Sequence, residues 1–477
     1  MVEKIVVIGA GPGGYVAALR AAQLGGDVTV VEKEYPGGTC LNWGCIPSKI
    51  MKTSADLFSK TKEAKTFGIK IDGTVAVDMA GIMARKQQIV ETQRKGILAL
   101  LKKANVQFEQ GRGYIKEQGV ISVADDNCWE KEIHYDRLIL AVGTEPLNIS
   151  DFPFDGEQIL SSNDLLNLKT LPQSMVIVGG GVIGCEFACI LSALGVAVTV
   201  VEAMDRLLPL PSVDEACSKI LQREMKKRKI KFITDQVVEK AEKTGASLSI
   251  TLGVSPFVAE NRKGRIKPVT LTAEKMAVCI GRSALSGELG LENIGLDLDA
   301  RGWIPVNQGM ETGVDGVYAI GDILGPRHIM LAHVASHEGM VAAANAMGGS
   351  DVMDYTAVPG AIFTMPEIGN VGITEAQARE PGLSVTCSSV NFRTLGKAQA
   401  MGEIAGEAKI VADADTGKVL GVHLIGPHAT DLIAEGTLAV TKGLTVKDIA
   451  HTIHAHPTLA EIMSEVSLCA DGTPLHN

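Results

Sequence analysis

The sequence predicts an α/β protein with two parallel-sheet units of one plan, followed by an α+β region. Three observations carry that prediction. A unit of strand, glycine turn, helix and strand occurs twice. The strands in each copy are short continuous runs of Val and Ile, the pattern of strands buried on both faces. From Ala408 onward the pattern turns to a strand hairpin and apolar-periodic helices.

The first copy opens with Ile5-Val6-Val7-Ile8 and passes into Gly9-Ala10-Gly11-Pro12-Gly13-Gly14. A helix pattern runs through Tyr15, Ala18 and Leu19 to Leu24-Gly25, and Val28-Thr29-Val30-Val31-Glu32 closes the copy. The second reads Met175-Val176-Ile177-Val178, Gly179-Gly180-Gly181-Val182-Ile183-Gly184, a helix to Leu194-Gly195, then Val198-Thr199-Val200-Val201-Glu202. The first glycine and the acidic residue stand 23 positions apart in both copies. A lone G-x-G-x-x-G is a common accident. Between a strand and a helix, with an acid ending the next strand, it is the dinucleotide fingerprint of a Rossmann-like unit. Gly9, Gly11 and Gly14, like Gly179, Gly181 and Gly184, let the backbone approach a pyrophosphate. The helix start adds free N–H groups and a positive dipole end. Glu32 and Glu202 would each accept a hydrogen bond from a ribose hydroxyl. A carboxylate at Glu202 repels a ribose 2′-phosphate, which favours NAD over NADP.

Composition narrows the classes. The 477 residues exceed one ordinary core and suggest about two to four domains. With 46% hydrophobic and 21% charged residues the chain reads as globular. Its 45 basic and 55 acidic residues leave a net charge of −10, which argues against nucleic acid or an anionic membrane as main partner. No apolar run is long enough to span a bilayer. Met1-Val2-Glu3-Lys4 leads directly into a strand, without a signal or transit pattern, so a cytoplasmic location is expected. A reducing compartment disfavours structural disulfides, and seven of the nine Cys are expected to be buried small apolar residues.

Cys40 and Cys45 differ. They form C-x4-C in Gly37-Gly38-Thr39-Cys40-Leu41-Asn42-Trp43-Gly44-Cys45-Ile46-Pro47-Ser48-Lys49. A helical turn between them would let them face each other and cycle between dithiol and disulfide. Pro47 suits a first helical turn, which puts Cys45 near a helix start that favours thiolate. Metal binding would need further ligands, and two inert thiols remain an alternative. Downstream, Gly316-Val317-Tyr318-Ala319-Ile320-Gly321-Asp322 reads as a strand ending in turn chemistry. Met330-Leu331-Ala332-His333 opens a helix pattern through Gly339 and Ala344. Ala408–Val411 and Val419–Leu424 read as a hairpin around Asp415-Thr416-Gly417, and Ala429 to Gly443 as a helix stopped by glycine. In the tail, His451, His454 and His456 admit a metal site, and Thr458-Leu459-Ala460-Glu461 a capping box. A His held by a carboxylate would equally serve as a proton carrier near neutral pH.

The cysteine segment resembles the active-site motif of the pyridine nucleotide–disulfide oxidoreductases, and over nearly its whole length the chain is similar to the dihydrolipoamide dehydrogenases among them. That resemblance implies FAD on the first unit, NAD on the second, and a C-terminal α+β dimerisation domain. It implies boundaries at 1–148 for the FAD-binding domain, 149–274 for the NAD-binding domain, 275–347 for a segment completing the FAD domain, and 348–477 for the interface domain. Cys40 would exchange disulfides with substrate, and Cys45 would face the flavin. Lys49 would lie near the flavin with Glu186 as ion-pair partner. Thr39, Gly113, Gly143, Asp322, Leu331, Ala332 and His333 would contact FAD, and Gly281 would contact NAD. His456 would be the acid–base group, oriented by Glu461, and would complete the cysteine site of a second subunit. Lipoyl domains of a multienzyme complex would be the partners, and no metal is implied.

Within this family Glu202 disfavours the NADP-dependent glutathione reductases, and the lone Cys469 lacks the C-terminal pair of mercuric and large thioredoxin reductases. A non-catalytic NADH sensor would not need Cys40, Cys45, His456 and Glu461 together. Three positions depart from the family pattern. Trp43 replaces a smaller residue between the cysteines. Ala141-Val142-Gly143-Thr144 stands for Ala-Thr-Gly-Ser. Met365 stands where His or Asp is frequent.

Overall fold

The computed structural model describes residues 2–125, 130–380 and 383–476. The first sheet is wholly parallel. Its strands lie in the order Val317–Ala319, Arg137–Leu140, Lys4–Ile8, Asp27–Glu32, Gln107–Gln110. The apolar run of the first motif is central, and Ile5 to Ile8 are buried, as expected for a strand covered on both faces. Helix Pro12–Gln23 follows the glycine turn. Helix Ala332–Ala346 packs beside it through small residues: a Cβ on Gly339 would stand 2.5 Å from the Gly13 carbonyl oxygen. That close approach brings both helix starts to one end of the sheet.

The second sheet repeats the plan with Lys231–Ile233, Ala197–Val201, Ser174–Val178, Lys275–Val278 and Ile159–Leu160, all parallel. Each unit also carries a three-stranded antiparallel sheet: Arg112–Glu117, Val120–Ala124 and Glu130–His134 in the first, Gln236–Thr244, Ser247–Val254 and Val269–Ala273 in the second. The expected boundary at 275 falls too early. Lys275–Val278 pairs with Met175–Val178 inside the second sheet, and the chain crosses back only with Arg282–Ala284, which pairs with Thr144–Pro146. Val317–Ala319 then joins the first sheet.

The C-terminal region is α+β, as expected. Its antiparallel sheet runs Gly360–Ile362, Glu367–Gly372, Val419–Gly426, Glu407–Asp413, Val385–Asn391. Helix Ala429–Lys442 ends at Gly443 in the left-handed region, the residue read as its stop. Of the seven cysteines expected to be buried, Cys185, Cys189 and Cys217 are; Cys279, Cys387 and Cys469 are half-buried, and Cys128 lies outside the described residues. No helix among the described residues is long and apolar enough to cross a membrane.

Candidate active site

A cavity of about 800 Å³ opens at the carboxyl end of the first sheet. Gly9, Gly11, Glu32, Thr39, Cys40, Cys45, Gly113, Gly143, Asp322 and Ala332 all line it. Gly14 and Lys49 do not line it. Leu331 and His333 do not line the cavity: the segment presents Met330, Ala332 and Ala335 instead, and the His333 ring is tied to the Pro359 carbonyl at 2.9 Å. Trp43 lines the same cavity.

The cavity fits a dinucleotide. Helices Pro12–Gln23 and Ala332–Ala346 both carry no side-chain cap at their N-termini, where they meet the cavity. Such ends present unpaired N–H groups and the positive end of the helix dipole. The glycine roles separate cleanly and identically in both copies. Gly9 and Gly179 have φ of +103° and +102°, and a Cβ there would stand 2.3 and 2.5 Å from the next strand's Ala141 and Cys279 carbonyl oxygens. A Cβ on Gly14 or Gly184 would lie 1.9 Å from the Gly9 or Gly179 carbonyl oxygen. A Cβ on Gly11 would meet only Gly38 Cα at 3.8 Å, and one on Gly181 nothing within 4 Å. The outer two glycines therefore close the turn, and the middle one keeps a cradle open. Gly281, at the crossing, donates no such contact; its carbonyl accepts Leu147 N–H.

Glu32 and Glu202 are buried and hold their own loops. Glu32 accepts Ala10 N–H and Glu34 N–H, both at 2.8 Å; Glu202 accepts Gly180 N–H at 2.6 Å and Met204 N–H at 2.7 Å. Sequence reasoning assigned these acids to a ribose alone. A carboxylate has about four lone-pair sites, so two stay available for hydroxyls. Nearby Arg206 bonds the Leu210 and Val213 carbonyls through Nη2.

The two cysteines lie on two consecutive helices. Gly38–Trp43 carries Cys40 and stops at Gly44, and Cys45 is the first residue of Cys45–Glu63. The Cys40 thiol hydrogen-bonds Cys45, which lowers Cys45 to about 7 with help from the Lys49 ammonium, against the upward push of burial. The same hydrogen bond, with burial, raises Cys40. One proton is thus held on Cys40 while Cys45 takes thiolate character. Cys45 is exposed because it faces the cavity. Lys49 lies one helical turn on, the spacing that shares a face. Its Nζ pairs with Glu186 at 2.9 and 3.1 Å, and Glu186, from helix Val182–Ala193, is buried rather than solvated. Glu186 also accepts Phe363 N–H at 2.8 Å, and the Phe363 ring lies 4.2 Å from Lys49 Nζ.

Asp322 follows the returning strand. It accepts the Thr144 hydroxyl at 3.2 Å and lies 3.9 Å from Arg282, which itself bonds Thr144 Oγ1 and its carbonyl at 2.6 and 2.7 Å. Burial raises the Asp322 carboxyl and lowers Arg282. Buried Glu338 secures this turn, accepting Gly321 N–H and the Tyr355 hydroxyl, each at 2.7 Å. Sequence reasoning missed Arg282, Glu338, Tyr355 and Phe363. Of these only Arg282 stood beside a residue already singled out for the site, Gly281.

The tail builds a second centre. His456 Nδ1 and Glu461 Oε1 stand 2.8 Å apart, and Glu461 Oε2 accepts Thr458 N–H at 2.9 Å. The expected capping box forms only in that half: the Thr458 hydroxyl donates to the Ala455 carbonyl, and helix Glu461–Ala470 starts without a side-chain cap. Burial pushes Glu461 up, but the His456 ring and Thr458 N–H outweigh it, so its carboxyl sits below the ordinary value. An ionised Glu461 only accepts, which puts the Nδ1 proton on His456 and leaves Nε2 facing outward. The His456 side chain is 77% exposed and outside the cysteine cavity. His454 pairs with Glu435 at 3.0 Å and Thr452 O at 2.9 Å. Among the described residues no cluster of His, Cys, Asp and Glu is arranged for a metal.

The model of the pyridine nucleotide-disulphide oxidoreductases matches residues 3–339, and that of their dimerisation domain matches residues 358–467. The dihydrolipoyl dehydrogenase of Chlamydia trachomatis serovar D is 40% identical over 473 residues, 99% of this chain and 97% of the relative. That of Bacillus subtilis strain 168 is 41% identical over 481 residues, 99% and 98% of the two chains. The crystal structure of LpdA from Mycobacterium tuberculosis superposes with a TM-score of 0.89 at 28% identity, covering 98% of this chain and 99% of that one. These matches span nearly the whole chain, and the chain belongs to the pyridine nucleotide-disulphide oxidoreductase family.

Proposed function

We propose that this chain is an NAD-dependent dihydrolipoyl dehydrogenase, with FAD on the first unit and NAD on the second. The observation that carries the reading is the Cys40–Cys45 pair, backed by Lys49–Glu186, opening on the dinucleotide cavity. Its chain is similar along its full length to dihydrolipoyl dehydrogenases. The net reaction is dihydrolipoamide plus NAD⁺ giving lipoamide, NADH and a proton.

Each residue has a task. His456 Nε2 takes the proton of a substrate thiol, while Glu461 holds the ring and balances the imidazolium. The substrate thiolate attacks Cys40 sulfur, the Cys40–Cys45 bond breaks, and Cys45 leaves as thiolate. Its lowered pKa suits that leaving role. The second substrate sulfur loses its proton and displaces Cys40, which closes the lipoamide disulfide and leaves both cysteines reduced. FAD, when bound, supplies the two-electron carrier between this dithiol and the nicotinamide. Glu32, Gly11, Gly113, Gly143, Thr39 and Asp322 would hold it, and Glu202 and Gly181 would hold NAD, with Gly281 near that site.

His456 does not line the cavity that holds its own cysteines, so the reading calls for a homodimer in which His456 of a second copy reaches Cys40. The fully exposed Ile453, three residues before it and 97% accessible, fits a surface that a second copy covers. Lipoyl domains of a multienzyme complex would bring the substrate arm, in a reducing cytoplasm that keeps the remaining thiols free. The test is NAD⁺ reduction by dihydrolipoamide with FAD-loaded protein. Turnover with NAD⁺ and little with NADP⁺ is expected. A flavin that NADH still reduces, without any lipoamide turnover, would sink the substrate assignment.

A further inference from the structure

We propose that Phe363, contributed by the C-terminal domain, is a positioning residue for the cysteine pair: its backbone holds Glu186, its ring holds Lys49, and together they keep the Lys49 ammonium beside Cys45. The inference rests on the proposed disulfide chemistry, and it adds a residue that no part of the cysteine motif or the nucleotide units contains.

Three separate parts of the chain meet here. Lys49 lies on the helix that begins with Cys45, Glu186 on the helix after the second glycine turn, and Phe363 just after strand Gly360–Ile362. Phe363 N–H to Glu186 Oε1 is 2.8 Å, Lys49 Nζ to Glu186 Oε2 is 2.9 Å, and Nζ to the Phe363 ring centroid is 4.2 Å. A lysine side chain has four rotatable bonds and would otherwise sample many positions. The carboxylate and the ring face fix two directions from Nζ, and the side chain is 28% exposed, so little water competes. The same helix is gripped once more by the same domain: Lys52 bonds Glu367 at 3.2 Å, and Glu367 accepts the Thr430 hydroxyl at 2.7 Å. Farther along the same helix Lys60 pairs with Glu403 at 3.0 Å, so the C-terminal domain holds the Cys45 helix at several points along its length.

The charged groups around Cys45 are Cys40, Lys49, Glu186 and Arg282. Lys49 favours the thiolate and Glu186 opposes it. Phe363 changes neither charge. It decides how near each one stays, so its removal lets Lys49 drift toward solvent while Glu186 remains buried. The Cys45 thiolate then becomes harder to form.

The test is a pH titration of ultraviolet thiolate absorbance in FAD-loaded full-length protein carrying Cys40→Ser, with Cys40→Ser/Cys45→Ser subtracted. Serine keeps a hydroxyl donor at position 40, and the difference isolates Cys45. Lys49→Met gives the largest upward shift of the midpoint. Phe363→Leu is expected to raise it in the same direction, by less than Lys49→Met does. Phe363→Tyr, which keeps the ring face, is expected to restore the parent midpoint. Phe363→Met, of similar volume and without a ring, replaces Phe363→Leu should that variant not hold flavin. A parent midpoint in both ringless variants, or an unmoved midpoint in Lys49→Met, overturns the proposal. No lipoamide enters the titration, so loss of the substrate assignment would leave this result standing, and the reverse.

Discussion

The two glycine turns allow a paired test of which unit holds which cofactor. A Cβ at Gly184 would lie 1.9 Å from the Gly179 carbonyl oxygen, against 3.4 Å or more for ordinary contact. The turn and helix would have to part by about 1.5 Å, at a cost of about 3 kcal/mol or more. Gly184→Ala should therefore damage the fold of the second unit. Gly181→Ala is different. Its φ of −73° and ψ of −168° suit any residue, and its Cβ would meet nothing within 4 Å. The loss of stability should stay within about 1 kcal/mol, the ordinary cost of alanine at a helix N-cap. The new methyl group would instead fill the cradle where a phosphate approaches the helix N–H groups. Breaking two charge-assisted hydrogen bonds at about 1.5 kcal/mol each weakens binding by about 3 kcal/mol, or about a hundredfold in the Kd for NADH. Gly11→Ala, with a Cβ 3.8 Å from Gly38 Cα, should fold equally well and lose flavin instead. The assay is NADH titration and bound-flavin absorbance on each purified variant. The reasoning is refuted if Gly181→Ala is folded and binds NADH as the parent does, or if both alanine variants lose the same cofactor.

Three further outcomes follow from the site geometry. His456→Gln should cut lipoamide turnover by about 10²- to 10⁴-fold while NADH still reduces the flavin, and mixed dimers with Cys45→Ser subunits should recover one working site; no recovery would contradict the in-trans arrangement. Glu202→Gln removes the charge that repels a 2′-phosphate, so the ratio of NADP⁺ to NAD⁺ turnover should rise; an unchanged ratio would remove Glu202 from cofactor choice. Lys409→Met strips the ammonium 2.8 Å from buried Asp214 and 2.7 Å from Glu375, and should destabilise the chain by about 3–5 kcal/mol, read as a lower melting temperature. Burial pushes Asp214 up, but Lys409 and Ala216 N–H draw it below the ordinary 3.8, so its stabilisation is present above that pH and fades as pH falls through the lowered value.

What the sequence made legible was local or repeated. Gly9, Gly11 and Gly14 and their second copies could be placed because strand, turn, helix and acid lie within one short stretch. Helix Ala332–Ala346 and the stop at Gly443 followed from periodicity and a terminal glycine. The resemblance added Lys49 and Glu186, 137 residues apart, which no periodicity could join. Phe363 escaped because its contribution is partly a backbone N–H, and any residue offers one. Thr144 and Arg282 escaped for the reason of distance: they meet across 138 residues, where the chain crosses between units. Lys275–Val278 was assigned to the wrong unit because an apolar strand carries no mark of which sheet it will enter. The Thr458–Glu461 box was read as symmetric, yet it competes with His456 for one carboxylate, and only the structure shows the oxygen each receives.

The two units share glycine geometry to within a few tenths of an ångström, so the turns themselves cannot explain two different cofactors. The difference lies in what returns to them. The first unit recovers Val317–Ala319 as an added strand, then Asp322 and the uncapped start of helix Ala332–Ala346, and it gains the Gly38–Trp43 helix as a wall. The cavity there is lined by segments from both sides of the second unit in sequence. That second unit fills the fifth place in its own sheet with the short Ile159–Leu160 strand. An enclosed dinucleotide dissociates slowly, because several chain segments must part to release it. One held mainly at a glycine turn and an acid exchanges with solution. A carrier between a thiol pair and a soluble nucleotide needs that asymmetry: the electron store must stay while the hydride acceptor leaves each cycle. One turn geometry used twice, with returning segments walling the first copy, would meet both needs.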